Sequence, residues 1–224
     1  MIIKVCGMRD VTNIKKVTAL GVDWIGLIFW PKSPRYIPME PVRAGIIPDQ
    51  TMMEKTTDER TSYKRVGVFV DQNPQDIITR AVSFKLDLIQ LHGHESPTLI
   101  RNLHKTLDPD LRNGIKFIKA ISVKTAEDIA TYKQYQDCVD YFLFDTKCPS
   151  VGGCGQQFDW NVLQAYDGQR PFLLSGGIGP DDVQKIKSFR HPQFVGIDLN
   201  SRFEQAPALK DIPKLQLFLS KLNN

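Results

Sequence analysis

Eight short apolar runs recur along the chain: Ile2 to Cys6, Trp24 to Phe29, Val66 to Val70, Leu86 to Leu91, Lys116 to Ile121, Tyr141 to Phe144, Phe172 to Leu174 and Phe194 to Leu199. They are apolar almost throughout rather than alternating, which predicts strands of a parallel sheet covered on both faces. Between them, segments such as Val11 to Leu20, Pro74 to Phe84, Thr125 to Tyr135 and Pro180 to Phe189 carry apolar residues three and four apart and predict helices. Asn73-Pro74 and Gly179-Pro180-Asp181-Asp182 place proline and acidic side chains where a first helical turn starts. Pro207 is expected to open a last helix that ends near Leu222. Strand then helix, repeated eight times, predicts an α/β protein with one domain over residues 1–224, a single-domain (β/α)8 TIM barrel. A doubly wound open sheet is the alternative, but Cys6-Gly7-Met8-Arg9-Asp10 after the first strand is not the glycine-rich G-x-G-x-x-G turn. One polar insertion, Asp49 to Lys64, interrupts the rhythm before the third strand; it is expected on the N-terminal face, in a structural or disordered role.

Composition narrows the class. At 224 residues, 42% hydrophobic and 24% charged, the chain can bury a sizeable core, so disorder is excluded as its main state. There are 29 basic and 25 acidic side chains, a net charge of +4, and the basic residues are dispersed without interleaved aromatics. No nucleic-acid partner is expected. Four cysteines are few for this length, and Cys6 lies inside an apolar run, which fits a reducing compartment. No apolar stretch approaches the ~18 residues a membrane span needs, so no membrane partner is expected and the chain reads as cytoplasmic.

In a barrel of this kind, side chains at the C-terminal ends of strands converge on one face. Ser175-Gly176-Gly177-Ile178-Gly179 follows strand seven and Asn200-Ser201 follows strand eight. Glycines there let main-chain N–H groups approach an anion, so the two loops together read as a phosphate cup rather than as mere turns. Cys6 ends strand one: it is either a small buried hydrophobe or, if its surroundings lower its pKa, a base or nucleophile. Asp145 follows Tyr141-Phe142-Leu143-Phe144 and delivers a carboxyl to the mouth. Partial burial there favours the protonated form that an acid catalyst needs; the bland reading is a salt bridge with Lys147 or an N-cap. Gln90 and His92 share one side of strand four, and His92 suits substrate hydrogen bonding. No His or Cys spacing matches a compact zinc site, so no metal is expected. Arg35, on the proline-stiffened loop Lys32-Ser33-Pro34-Arg35-Tyr36, could hold a planar carboxylate through two parallel hydrogen bonds. Asp198, at the end of strand eight, completes the candidate substrate-binding set.

Lys4-Val5-Cys6-Gly7, Phe29-Trp30-Pro31-Lys32-Ser33-Pro34-Arg35, Val66-Gly67-Val68-Phe69-Val70, Gln90-Leu91-His92-Gly93 and Gly152-Gly153-Cys154-Gly155 with Phe158-Asp159-Trp160 occur in that order. With these motifs the chain resembles the phosphoribosylanthranilate isomerase family from Ile3 to about Asp211. The resemblance implies a (β/α)8 enzyme of tryptophan biosynthesis that performs an Amadori rearrangement on a phosphorylated sugar, without cofactor or metal, as a monomer or homodimer. It implies Asp145 as general acid, Cys6 as general base, Arg35 as holder of the anthranilate carboxylate, and Gly177 with Asn200 and Ser201 around the phosphate. Two departures stand out. The family's Gly-Gly-Thr-Gly-Lys is Gly152-Gly153-Cys154-Gly155-Gln156 here, and its Ser-Ser-Gly-Val-Glu is Asn200-Ser201-Arg202-Phe203-Glu204, where Arg202 replaces a glycine. The rivals are the bifunctional isomerase shared between histidine and tryptophan synthesis, which carries an aspartate where this chain has Cys6, and a binding module that keeps the phosphate cup without catalysis.

Overall fold

The computed structural model describes residues 1–39, 63–147 and 157–223. The apolar runs become eight strands: β1 (Ile2–Val5), β2 (Trp24–Ile28), β3 (Lys64–Phe69), β4 (Leu88–Leu91), β5 (Lys116–Val123), β6 (Tyr141–Thr146), β7 (Phe172–Leu174) and β8 (Phe194–Leu199). All neighbours pair in parallel and the sheet closes, because β8 returns to β1 with Ile2 opposite Gly196 and Lys4 opposite Asp198. The barrel expectation therefore holds.

Two apolar layers follow from the alternation of side chains along each strand. Trp24, Val66, Leu88, Ile118, Ala120, Leu143 and Leu173 point inward and plug the barrel. Val5, Ile25, Leu27, Phe69, Ile89, Phe142, Phe144 and Ile197 point outward into the larger core shared with the helices. Both faces of each strand are thus apolar, which is why the runs show no alternation.

The helices start where the chain supplies caps. Asp10 accepts from the Asn13 N–H at 2.7 Å to open α1 (Val11–Thr18). Asn73 accepts from Asp76 N–H at 2.9 Å, with Pro74 in the first turn, to open α2 (Pro74–Ser83). Ser96 caps α3 (Pro97–Leu107), a helix not singled out from the sequence, although Ser96-Pro97 carries the same signal. The expected helix over Thr125 to Tyr135 is split into a four-residue α4 (Ala126–Ile129) and a 3-10 turn, Ala130–Gln134. That over Pro180 to Phe189 is likewise a 3-10 turn, Pro180–Asp182, leading into α5 (Val183–Ser188).

One expectation is corrected. Pro207 opens no helix; it lies in the turn of a small antiparallel hairpin, β9 (Glu204–Ala206) and β10 (Leu209–Lys210), where Ala208 takes a positive φ of 68°. The last helix, α6 (Ile212–Asn223), starts after Asp211, whose carboxylate accepts from the Lys214 N–H at 3.0 Å. A capping carboxylate outcompetes proline at a site where the chain must first fold back. Of the polar stretch from Asp49 to Lys64, residues 49–62 lie outside the described residues, Tyr63 is buried and Lys64 begins β3.

Candidate active site

Above the apolar plug, the next inward positions become polar. Cys6 stands one residue past β1, Gln90 on β4, His92 just after it, Asp145 on β6, Ser175 just after β7 and Asp198 on β8. These six, together with Arg35, Gly176, Gly177, Asn200 and Ser201, line one cleft that holds roughly 800 Å³ of space, its open mouth included. All eleven candidate residues therefore share a single opening at the C-terminal end of the barrel. Trp30, Ser33, Val68, Val70, Ile178 and Arg202 also line it and were not picked out as site residues. Asp145 does not follow its strand, as the sequence suggested, but lies within β6, so regular backbone aims it.

On one wall, hydrogen bonds link three side chains. Gln90 Nε2 lies 3.0 Å from His92 Nδ1, His92 Nε2 lies 3.2 Å from Asp145 Oδ2, and Asp145 Oδ1 accepts from the Thr146 N–H at 2.9 Å. In this arrangement Nδ1 accepts and the imidazole proton faces Asp145. It leaves the buried Gln90 Oε1 without a partner among the described residues. Turning the Gln90 amide over reverses the chain: Gln90 Oε1 accepts from His92 Nδ1–H, and His92 Nε2 accepts from a protonated Asp145. The wall can therefore accommodate Asp145 with or without its proton. The salt bridge considered for Asp145 is not formed, because Lys147 pairs with Asp128 at 2.8 Å instead. Asp71 and His94, also near strand ends, pair with each other at 3.0 Å and do not line the cleft.

The opposite wall is built from buried charges. Lys4 donates to Asp198 Oδ1 at 2.9 Å, and Ser175 Oγ stands 3.4 Å from Asp198 Oδ2. Cys6 sits two residues beyond Lys4 on the same inward face, and Gly26 on the neighbouring strand makes room for it: a Cβ there would come within 2.6 Å of Sγ. The surroundings do not lower the thiol as a general base would require. Burial pushes the Cys6 thiol up, Lys4 pulls it back, Asp198 adds to the rise and Lys210 opposes it, and the balance stays raised. Burial likewise pushes the Asp198 carboxyl up against the pull of Lys4.

Glu204 and Lys210, neither recognised from the sequence, organise Arg35. The Arg35 Nε donates to Glu204 at 2.9 and 3.1 Å and Nη2 donates at 2.6 Å, while Lys210 Nζ donates to Glu204 at 2.6 Å and to Asn200 Oδ1 at 2.8 Å. Burial works to raise the Glu204 carboxyl, but its hydrogen bond from Arg35 and the charge of Lys210 hold it below the ordinary range. One edge of the guanidinium is thus engaged by Glu204, and the end formed by Nη1 and Nη2 remains for a ligand.

At the cup, Gly176 and Gly177 adopt positive φ of 90° and 66°, a backbone course that glycine permits. A Cβ on Gly176 would also meet the Thr146 main chain at 2.6 Å. The N–H groups of Gly177 and Ile178 make no hydrogen bond among the described residues. Gln157 braces this loop from beneath, donating to the Gly177 carbonyl at 3.1 Å and to Asp182 at 2.6 Å. The segment Gly152-Gly153-Cys154-Gly155-Gln156, and Cys148, lie outside the described residues. Among the described residues there is no cluster of three metal-ligating side chains, and no helix is long and apolar enough to cross a membrane.

Comparison with known proteins agrees with this geometry. The family described as N-(5'phosphoribosyl)anthranilate (PRA) isomerase matches residues 3–221. The N-(5'-phosphoribosyl)anthranilate isomerase of Parabacteroides distasonis is 46% identical over 222 residues, covering 99% of this chain and 93% of the relative. The crystal structure of phosphoribosyl anthranilate isomerase from Thermotoga maritima superposes with a TM-score of 0.80 at 31% identity, covering 100% of this chain and 99% of the other. A further structure, of a phosphoribosyl anthranilate isomerase in complex with reduced 1-(o-carboxyphenylamino)-1-deoxyribulose 5-phosphate, gives a TM-score of 0.77 at 28% identity, covering 100% and 99%. With the barrel, the cleft and the full-length match in agreement, this chain belongs to the N-(5′-phosphoribosyl)anthranilate isomerase family, aldose–ketose isomerases of tryptophan biosynthesis.

Proposed function

We propose that the cleft converts N-(5-phosphoribosyl)anthranilate into 1-(2-carboxyphenylamino)-1-deoxyribulose 5-phosphate with Asp145 as general acid and Cys6 as general base. The observation that carries this reading is that the Cys6 sulfur and the Asp145 carboxyl open onto the same cavity, from β1 and β6. Asp145 gives its proton to the ribose ring oxygen, the C1′–O bond breaks, and the nitrogen lone pair forms an iminium. Cys6 as thiolate removes the C2′ proton, and the C–H electron pair closes the enolamine. Protonation at C1′ and loss of the enol proton then yield the ketose and restore both groups, so nothing is consumed.

Positioning comes from the rest of the cleft. The free end of the Arg35 guanidinium, turned by Glu204, takes the anthranilate carboxylate end-on through Nη1 and Nη2. The main-chain N–H groups at Gly177 and Ile178, with Asn200 and Ser201, hold the phosphate, and Arg202 adds a positive side chain at the rim. Gln90 and His92 set the hydrogen bond that Asp145 makes before and after its proton leaves, Ser175 and Gly176 shape the floor beneath the sugar, and Asp198 steadies the base side. Fixing the sugar at both ends brings acid and base to its reacting carbons.

The test is direct. The unstable substrate is generated in situ from anthranilate and phosphoribosyl pyrophosphate with a transferase, and its fluorescence is followed. Loss well beyond spontaneous decay on adding this protein is the expected result; decay at the uncatalysed rate would refute the assignment.

A further inference from the structure

Lys4 is a buried cation that the reaction above does not use. It is fully buried and does not itself line the cleft. Removing an ammonium from water carries a large penalty, which only a close partner offsets. Asp198 at 2.9 Å is that partner. The pair is also set by the fold, since Lys4 and Asp198 stand opposite each other in the register that closes the barrel.

Lys4 has a second neighbour. Residues two apart on a strand share a face, so Cys6 stands directly above Lys4, with the cleft on its other side. The charged groups facing the sulfur are Lys4 on β1, Asp198 on β8, Lys210 on β10 and Arg35 after β2. Three of these are cations, and Lys210 and Arg35 are already tied to Glu204. A thiol in so buried a place ionises only if a fixed positive charge answers the new negative one.

We propose that Lys4 is a positioning residue whose buried ammonium, clamped by Asp198, stabilises Cys6 as the thiolate that takes the C2′ proton. The proposal rests on the reading of Cys6 as base. Lys4 keeps its own proton throughout: burial works against the charge, but Asp198 and then Cys6 hold the ammonium above the ordinary lysine range. The proton moves from C2′ to sulfur, and the ammonium answers the thiolate charge before transfer.

The experiment titrates the sulfur without substrate, following thiolate absorbance near 240 nm against a Cys6→Ala control so that the other cysteines subtract out. Lys4→Met alone would leave Asp198 buried without its cation and could unfold the barrel. The informative pair is therefore Asp198→Asn and the double variant Lys4→Met/Asp198→Asn, which has no unpaired charge. The expected result is a thiol midpoint at least one pH unit higher in the double variant than in Asp198→Asn, with Lys4→Arg close to the parent. Equal midpoints in the two variants would overturn the proposal and leave Lys4 as the neutraliser of Asp198 alone. The alkaline limb of kcat/KM, measured on Lys4→Arg and the parent, must follow the thiol midpoint. A limb that ignores it would overturn the base reading of Cys6 while the titration still reports on Lys4.

Discussion

The two walls of the cleft solve opposite electrostatic problems. On the β4–β6 wall, Gln90, His92 and Asp145 form a chain of hydrogen bonds in which His92 and Asp145 keep some contact with solvent, at 20% and 17% side-chain exposure. Such a chain keeps Asp145 hydrogen-bonded with or without its proton, once the Gln90 amide turns over. On the β1–β8 wall, the buried Cys6 is surrounded by Lys4, Asp198, Arg35, Glu204 and Lys210, which are locked together by ion pairs of 2.6 to 2.9 Å. There a change of charge is expensive unless countercharges are already in place. A proton donor therefore suits the first wall, and a base that must be generated on demand needs the second.

The largest expected effect tests the division itself. Asp145→Asn should lower kcat by about a hundredfold to ten-thousandfold, the scale for losing a positioned acid. Cys6→Ala should do the same while binding of a substrate analogue, measured by calorimetry, is largely kept. Near-normal turnover in either variant would remove that wall from the chemistry, and equal loss of binding and turnover in Cys6→Ala would reduce the sulfur to packing. Next in size, Arg35→Ala should raise KM roughly tenfold or more with kcat changed less, the range for charge-assisted hydrogen bonds. Steady-state kinetics with an unchanged KM would mean that the guanidinium serves Glu204 alone.

The pH profile sharpens the contrast. The reaction needs Cys6 without its proton and Asp145 with its own at the same time, so kcat/KM falls once pH passes the higher midpoint, and the raised Cys6 thiol places that fall on the alkaline side. A fall that sets in only above about pH 8.5 is expected. A fall already under way near neutrality would show that burial does not govern the thiol. Smallest is Arg202→Ala, which should raise KM only roughly two- to fivefold, because the residue is exposed and water screens its charge. The increase should fade when KM is measured at high salt; one that persists would place Arg202 deeper in the phosphate contact.

Much of this is legible in the sequence. The apolar runs marked the strands to within one or two residues at most ends, because a strand buried on both faces must be apolar nearly throughout. Once the barrel is inferred, the strand-end rule alone gathers Cys6, Gln90, His92, Asp145, Ser175 and Asp198 at one mouth. The helix start at Asn73-Pro74 was equally readable, since capping is chemistry between neighbours. Pro207 misled because proline suits a hairpin turn as well as a first helical turn, and local sequence does not choose between them.

What the sequence determined by itself was therefore periodic or local: strands, caps, glycine turns and the side of each strand a residue faces. Closure of the barrel decided the rest. Lys4 meets Asp198 194 positions away, and Arg35 meets Glu204 169 positions away. No spacing announces such pairs. They exist because the first and last strands are neighbours in a closed sheet, and the dry interior this creates makes each buried charge depend on its partner across the seam.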